Sequence, residues 1–161
     1  MRVQSAEQSG LVLDAAGRWF HRGEPVANPR VAEFFHRAIR RDGRGDAYLA
    51  NLVDGEEERV YFRAEDTLFF VRRLRLAAPA PAEARLLAAL SAGAEVELAP
   101  EGFSQGAGGV LYARLPDGQL ARLTSQAACD LGEWLREEDG QVWLVLGARR
   151  CPLGREPARP G

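Results

Sequence analysis

Hydrophobic and polar positions along this chain fall into short runs punctuated by turns, and the arrangement occurs twice. Near each end stand a turn, a short strand, a capped amphipathic helix, an Asp-Gly turn and an aromatic-Leu strand. In the first half Leu11-Val12-Leu13 runs into the turn Asp14-Ala15-Ala16-Gly17. Trp19-Phe20-His21 reads as a strand broken by Gly23-Glu24-Pro25. Asn28-Pro29 is a helix start, an Asn cap with proline in the first helical position. Val31, Phe34, Phe35, Ala38 and Ile39 then form one stripe at about 100° per residue, and Asp42-Gly43 reads as the helix stop. Tyr48 to Leu52, Arg59 to Arg63 and Thr67 to Val71 read as strands, with Asp54-Gly55 as a turn.

The second half has the same order. Val110 to Leu115 and Leu120 to Leu123 read as strands joined by Pro116-Asp117-Gly118. Thr124 or Ser125 caps a helix with the stripe Ala127, Ala128, Leu131, Trp134 and Leu135, stopped by Asp139-Gly140. Gln141 to Leu146 is an apolar strand that Arg149 to Leu153 pairs with. Between the halves, Ala77 to Ala82 is Ala/Pro-rich, Glu83 to Leu90 has leucines at helical spacing, and Ala94 to Leu98 alternates as a strand. The expected fold class is α+β: two small ββαββ-like units, each a mostly antiparallel sheet covered by a helix, with internal duplication as one reading of the repeat. The expected boundaries are 1–76 for the first unit, 77–93 for a linker and short helix, 94–154 for the second unit and 155–161 for a disordered Pro/Arg tail. Residues 1–10 are polar and expected to fray.

Composition narrows the function classes more than it names one. With 161 residues, 46% hydrophobic and 27% charged, the chain is expected to fold unaided. A net charge of −2 gives no general attraction to nucleic acid or anionic membrane. All 21 basic residues are arginine and Ile39 is the single isoleucine, which reads as the codon usage of a GC-rich genome. Cys129 and Cys151 are the two cysteines and His21 and His36 the two histidines, too few ligands for a zinc site. No apolar run approaches the ~18 residues of a membrane span, and the polar first ten residues lack a secretory core. A bacterial cytoplasm is the expectation.

The stretch from Gly17 through Trp19, His21, Gly23 and Pro25, then Asn28-Pro29-Arg30 to Arg41, Tyr48-Leu49 and Phe62-Arg63-Ala64-Glu65-Asp66 to Phe70, resembles a bacterial family, the domain-of-unknown-function family 1285. The close, Val142-Trp143-Leu144 to Pro152-Leu153-Gly154, is also similar. The resemblance covers about two-thirds of the chain and rests on turn-and-core patterns. It implies two small α+β parts with repeated motifs, no established activity, and a suggested role in ligand sensing or signalling. The family tends to be strand-rich in the middle, where Pro81 to Leu90 reads here as helical.

Chemical motifs are sparse. Gly102-Phe103-Ser104-Gln105-Gly106 fits the Gly-x-Ser-x-Gly elbow of carboxylesterases. That chemistry needs a strand before the serine, a helix after it and a later histidine, and both histidines here come earlier. A flexible loop is the expected reading. Gly106-Ala107-Gly108-Gly109 lacks the following helix that a phosphate cradle wants. Arg37, Arg40, Arg41 and Arg44 form a basic patch, as do Arg72, Arg73 and Arg75, both balanced by nearby acids. Glu137-Glu138-Asp139 sits at an expected helix end, where acids oppose the dipole.

The expected function is a non-catalytic module binding a small molecule or a protein, with self-association left open, and with no metal, cofactor, nucleic acid or membrane. The candidate ligand-binding residues are Trp19 and His21 on one strand and Arg37 and Arg41 in the basic patch. The alternative is a small serine hydrolase using Ser104.

Overall fold

Turn chemistry sets the strands of the first unit, Met1–Leu68 with Ser91–Gly93. A computed structural model describes residues 1–77 and 84–157 of the chain. The first unit contains β1 (Arg2–Gln4), α1 (Ala6–Ser9), β2 (Leu11–Leu13), β3 (Trp19–His21), β4 (Glu24–Pro25), α2 (Pro29–Ala38), β5 (Ile39–Arg41), β6 (Ala47–Val53), β7 (Glu56–Tyr61) and β8 (Arg63–Ala64). The Asp14 carboxylate closes the β2–β3 turn by accepting from the N–H groups of Ala16 and Arg18 at 3.0 and 2.8 Å. Arg22-Gly23 and Asp54-Gly55 are two-residue turns with φ positive at both positions (49° and 82°, 51° and 80°). That turn type matches the twist of the strands it joins. Two four-stranded sheets result, in the orders β1-β7-β6-β5 and β4-β3-β2-β8.

The first ten residues are ordered, contrary to expectation. Ser5 and Gln8 form a reciprocal capping box on α1, and β1 adds to β7 in parallel, with Val3 opposite Arg59. Helix α2 starts as read, with the Asn28 side chain accepting from Arg30 N–H at 2.9 Å. Its buried stripe is rotated from the expected one. His36 and Ala38 are buried, while Val31 and Phe34 are exposed. The helix ends at Ala38, and Ile39 turns extended to begin β5. Asp42-Gly43 is therefore not a helix stop. It lies in the β5–β6 turn, where Asp42 accepts from the N–H groups of Arg44 and Asp46.

The second unit, Phe69–Leu90 with the residues from Ala94 on, contains β9 (Phe69–Ala77), β10 (Arg85–Leu90), β11 (Glu95–Leu98), β12 (Phe103–Gln105), β13 (Leu111–Arg114), β14 (Leu120–Leu123), α3 (Ser125–Gly132), β15 (Leu135–Glu138), β16 (Gln141–Leu146), β17 (Arg149–Pro152) and β18 (Gly154–Arg155). Seven strands form one sheet in the order β11-β10-β9-β14-β13-β12-β18, and β15-β16-β17 form another. Helix α3, capped by Thr124, lies against β9 and β14. Leu86, Leu98, Phe103, Leu131, Leu144 and Leu146 anchor the core.

Four expectations change in this unit. The helix expected over Glu83 to Leu90 is the strand β10 from Arg85, held between β9 and β11. Leu86, Ala88 and Leu90 satisfy a period of two as well as the leucines satisfy a helical one, and neighbours on both sides decide for the strand. Strand β9 belongs here rather than before a boundary at 76, because it pairs β10 on one side and β14 on the other. Helix α3 ends at Gly132, so Asp139-Gly140 turns the β15–β16 hairpin and the acid run Glu137-Glu138-Asp139 faces no helix end. Arg150 on β17 pairs with Glu138. Finally, Gly154-Arg155 pair in parallel with β12 rather than fraying. The linker at 78–83 and the tail at 158–161 lie outside the described residues.

The fold is mixed α+β, with antiparallel pairing predominant and parallel pairs at β1–β7, β2–β8, β9–β14 and β12–β18. No helix among the described residues is long and apolar enough to cross a membrane.

Candidate functional site

The first unit holds an open cavity of about 330 Å³ lined by Gln4, Ser9, Leu11, His21, Val26, Val31, Phe35 and Val60. Its position follows from the chain. Leu11 and His21 face each other across the β2–β3 ladder, Gln4 and Val60 do so across β1–β7, and α2 supplies Val31 and Phe35. Five of the eight lining residues are apolar. Ser9 is fully engaged: its hydroxyl donates its one proton to the Tyr61 carbonyl at 2.7 Å, with the Ala6 carbonyl also near at 3.1 Å, and accepts from Leu11 N–H. The side chains of His21 and Gln4 have no hydrogen-bond partner among the described residues, so they are the polar groups this cavity offers to a ligand.

The four candidate residues do not converge. His21 lines the cavity. Trp19 lies behind it, 2% exposed, with its ring 5.3 Å from Phe35, 5.6 Å from His36 and 4.8 Å from Phe62. Its indole N–H has no acceptor. Trp19 thus supports the cavity wall through Phe35 rather than touching a ligand. Arg37 is paired with Glu33 and donates from Nε to the Ala92 carbonyl at 3.1 Å. Arg41 donates to the Gly45 carbonyl at 2.8 Å, in the β5–β6 turn. Gln4, Ser9 and Val60 were beyond sequence reasoning, because parallel pairing of β1 with β7 leaves no mark in a local pattern.

Another polar cluster sits on the β5–β6–β7 sheet. Tyr61 Oη donates to Asp42 Oδ2 at 2.9 Å, the Arg59 guanidinium lies 4.6 Å over the Tyr48 ring, and Arg59 pairs with Glu57. The Tyr61 hydroxyl, followed by the Arg44 and Asp46 amides, holds the Asp42 carboxyl below the usual range against the opposing effect of burial. Asp42 in turn pushes the Tyr61 hydroxyl up. A phenol whose proton is held more tightly is a poor general base, so the cluster reads as a tie between the β5–β6 turn and β7.

In the second unit Ser104 is not on an elbow or in a flexible loop. It is buried in β12 opposite Tyr112, and its hydroxyl donates to Glu156 Oε1 at 3.0 Å. Both histidines belong to the first unit. The following glycines have structural reasons: a Cβ on Gly106 would meet the Tyr112 ring at 2.9 Å, and Gly108 and Gly109 take φ of 69° and 79°. A cavity of about 340 Å³ carries Arg85 and Arg149, which are paired with Glu97 and Glu101. Arg73 is paired with Asp130 and Arg75 with Glu95. Cys129 and Cys151 are both free thiols. Among the described residues, no group of three or more His, Cys, Asp and Glu side chains is placed to hold a metal.

No protein-family profile matches the chain, and no curated protein matches it significantly. Two solved structures share its fold. A DUF1285 family protein from Silicibacter pomeroyi DSS-3 is 22% identical, with a TM-score of 0.67 over 94% of this chain and 82% of that one. A DUF1285 family protein from Shewanella baltica OS155 is 19% identical, with a TM-score of 0.53 over 76% of this chain and 88% of that one. The chain has the fold of these DUF1285 proteins, as the sequence resemblance implied. Within the middle segment that the sequence reads as helical, Arg85–Leu90 is the strand β10.

Proposed function

We propose that the chain is a DUF1285 protein acting as a non-catalytic binding module, with the cavity of the first unit as its small-molecule site. The observation that carries this reading is the lining itself: apolar walls from Leu11, Val26, Val31, Phe35 and Val60, with His21 and Gln4 unengaged. A volume of about 330 Å³ is at the small end of the ~300–1,000 Å³ typical of ligand pockets. It suits a compact apolar molecule with one hydrogen-bonding group. A sensing role in a bacterial cytoplasm is consistent with such a site. Duplication of the two units is a reading supported by their shared order of hairpin, side-chain-capped helix and hairpin.

The test is a thermal-shift screen of small apolar acids, amides and alcohols on the full chain. A hit stabilises by an amount set by its concentration over Kd, and Val31→Trp, at a partly exposed lining position, abolishes the shift without unfolding the protein. Hits that Val31→Trp and His21→Ala leave unchanged overturn the site.

A small serine hydrolase is the second reading, favoured by the Gly102–Gly106 pattern alone. Nitrophenyl esters decide it: turnover that Ser104→Ala removes would establish the enzyme. We expect turnover to be no different in Ser104→Ala, because Ser104 Oγ is tied to a carboxylate inside a strand ladder.

A further inference from the structure

Strand β6 is paired further along one side than along the other. β7 faces it from Tyr48 to Val53, whereas β5 faces only Ala47, Tyr48 and Leu49. Ala50–Val53 therefore form a sheet edge without a neighbouring strand. The two-residue turn Asp54-Gly55 fixes which backbone groups face outward. Val53 and Glu56 flank the turn and exchange hydrogen bonds, so the next pair, Leu52 and Glu57, does not. The N–H and C=O of Leu52 thus point away from β7. The N–H donates to the Asn51 side chain at 2.9 Å, a local substitute for a strand carbonyl.

Beside this edge runs an open groove of about 530 Å³ lined by Phe34, Ala50, Asn51, Leu52 and Glu57. Phe34 is 51% and Leu52 74% exposed, the kind of apolar exposure that marks an interaction site when it is contiguous. The hairpin tip is acidic. Asp54, Glu56, Glu57 and Glu58 stand there against Arg2, near Asp54 and Glu56, and Arg59, bound to Glu57. On the helix side Arg37 is taken by Glu33 and Arg30 has no side-chain partner among the described residues. The excess of acid is on the strand side. A second copy would offer the same strand, Ala47–Val53, which carries no lysine or arginine to meet the acidic tip, and this disfavours self-association.

We propose that the Ala50–Val53 edge accepts an extended segment of a partner protein as an added strand. Main-chain hydrogen bonds to Leu52 supply register, an apolar side chain covers Phe34 and Leu52, and flanking lysine or arginine faces the acidic tip. This site is separate from the small-molecule cavity and does not depend on it.

The experiment is amide NMR on the full chain with the peptide acetyl-Lys-Val-Lys-Val-Lys-Val-Lys-amide as probe. Amide shifts are expected at Ala50–Val53 and Phe34, and the counterpart with glutamate for lysine binds at least about tenfold more weakly. Leu52→Pro removes the outward N–H without touching the β6–β7 ladder and abolishes binding, while Leu52→Ile, which keeps both the N–H and the apolar side chain, stays within about twofold. N-methylation of the central valine tests the same bonds from the peptide side and is also expected to abolish binding. The proposal is overturned by the absence of shifts at 50–53 with millimolar peptide, by equal binding of the acidic peptide, or by unchanged binding of the N-methyl peptide. Concentration-dependent shifts of those amides without peptide would also overturn it, in favour of a second copy of the chain.

Discussion

Asp130 on α3 accepts from the β9 backbone and from Arg73, and its removal is a quantitative test of how α3 is fixed to β9. Its carboxylate is 12% exposed and accepts from Leu74 N–H at 2.9 Å, Arg73 Nε at 3.0 Å, Arg73 Nη2 at 3.4 Å and Gln126 Nε2 at 3.2 Å. Leu74 is 5% exposed, so in Asp130→Ala its N–H is left without an acceptor away from water. Such an orphaned group costs about 1–3 kcal/mol. The Arg73 guanidinium is exposed, and solvent screens what its pairing adds. Alanine returns only a few tenths of a kcal/mol in helix propensity. The expected loss is about 2 kcal/mol, or roughly 4–8 °C in Tm for a chain of this size. Asp130→Asn keeps an acceptor for Leu74 and should fall between the wild type and the alanine variant.

Urea denaturation followed by near-UV circular dichroism reads the loss, and hydrogen exchange at the Leu74 amide locates it. The acid limb gives a second readout. The Arg73 guanidinium, with Leu74 N–H and Gln126 assisting and burial opposing, holds the Asp130 carboxyl below its ordinary value. A carboxyl lowered on folding stabilises fully above its unfolded pKa of about 3.9, and that contribution is lost as pH falls through the folded value. The gap between wild type and Asp130→Asn should therefore close in acid. Asp130→Ala lying within about 0.5 kcal/mol of wild type, or an Asn gap that persists unchanged in acid, would refute the reasoning.

Other outcomes follow from particular side chains. Trp19→Ala should cost about 3–5 kcal/mol by urea denaturation. Trp19→Phe should cost much less than that, since it also removes an indole N–H that has no acceptor. Tyr61→Phe deletes the strongest influence on Asp42, so the Asp42 carboxyl, followed by carbon-detected NMR titration, should move up toward its ordinary value. Because that carboxyl is lowered in the fold, the variant's deficit relative to wild type should be present above the unfolded carboxylate pKa and vanish in acid. Gly106→Ala should displace the Tyr112 ring, seen as altered ring shifts, because a Cβ there would stand 2.9 Å from the ring.

What the sequence made legible was local chemistry, and what it hid was pairing. The Asn28 and Thr124 caps, the Asp54-Gly55 and Pro116-Asp117-Gly118 turns and the strands Trp19–His21 and Gln141–Leu146 each depend on residues a few positions apart, and each stands where it was read. The Asp-Gly pairs after the helices show where that logic stops. Asp42-Gly43 and Asp139-Gly140 have the composition of a helix stop and of a turn between strands alike, and both are turns between strands. Ile39 and Leu135 continued each helical stripe on paper, yet both open strands, because the strand that follows each of them closes a hairpin and offers a ladder. The same cause hid the site. His21 was readable as a strand residue, but the cavity it lines also needs Gln4 and Val60, which meet through a parallel pair some fifty residues apart in sequence. Arg37 and Arg41 drew attention as members of a basic patch, and a guanidinium reveals its carbonyl acceptors only when the backbone is in place. Trp19 is the instructive case: it and His21 stand two apart and so share one face of the strand, but Trp19 lies under Phe35 and Phe62 and holds the wall, while His21, at the strand's exposed end, is left at the opening.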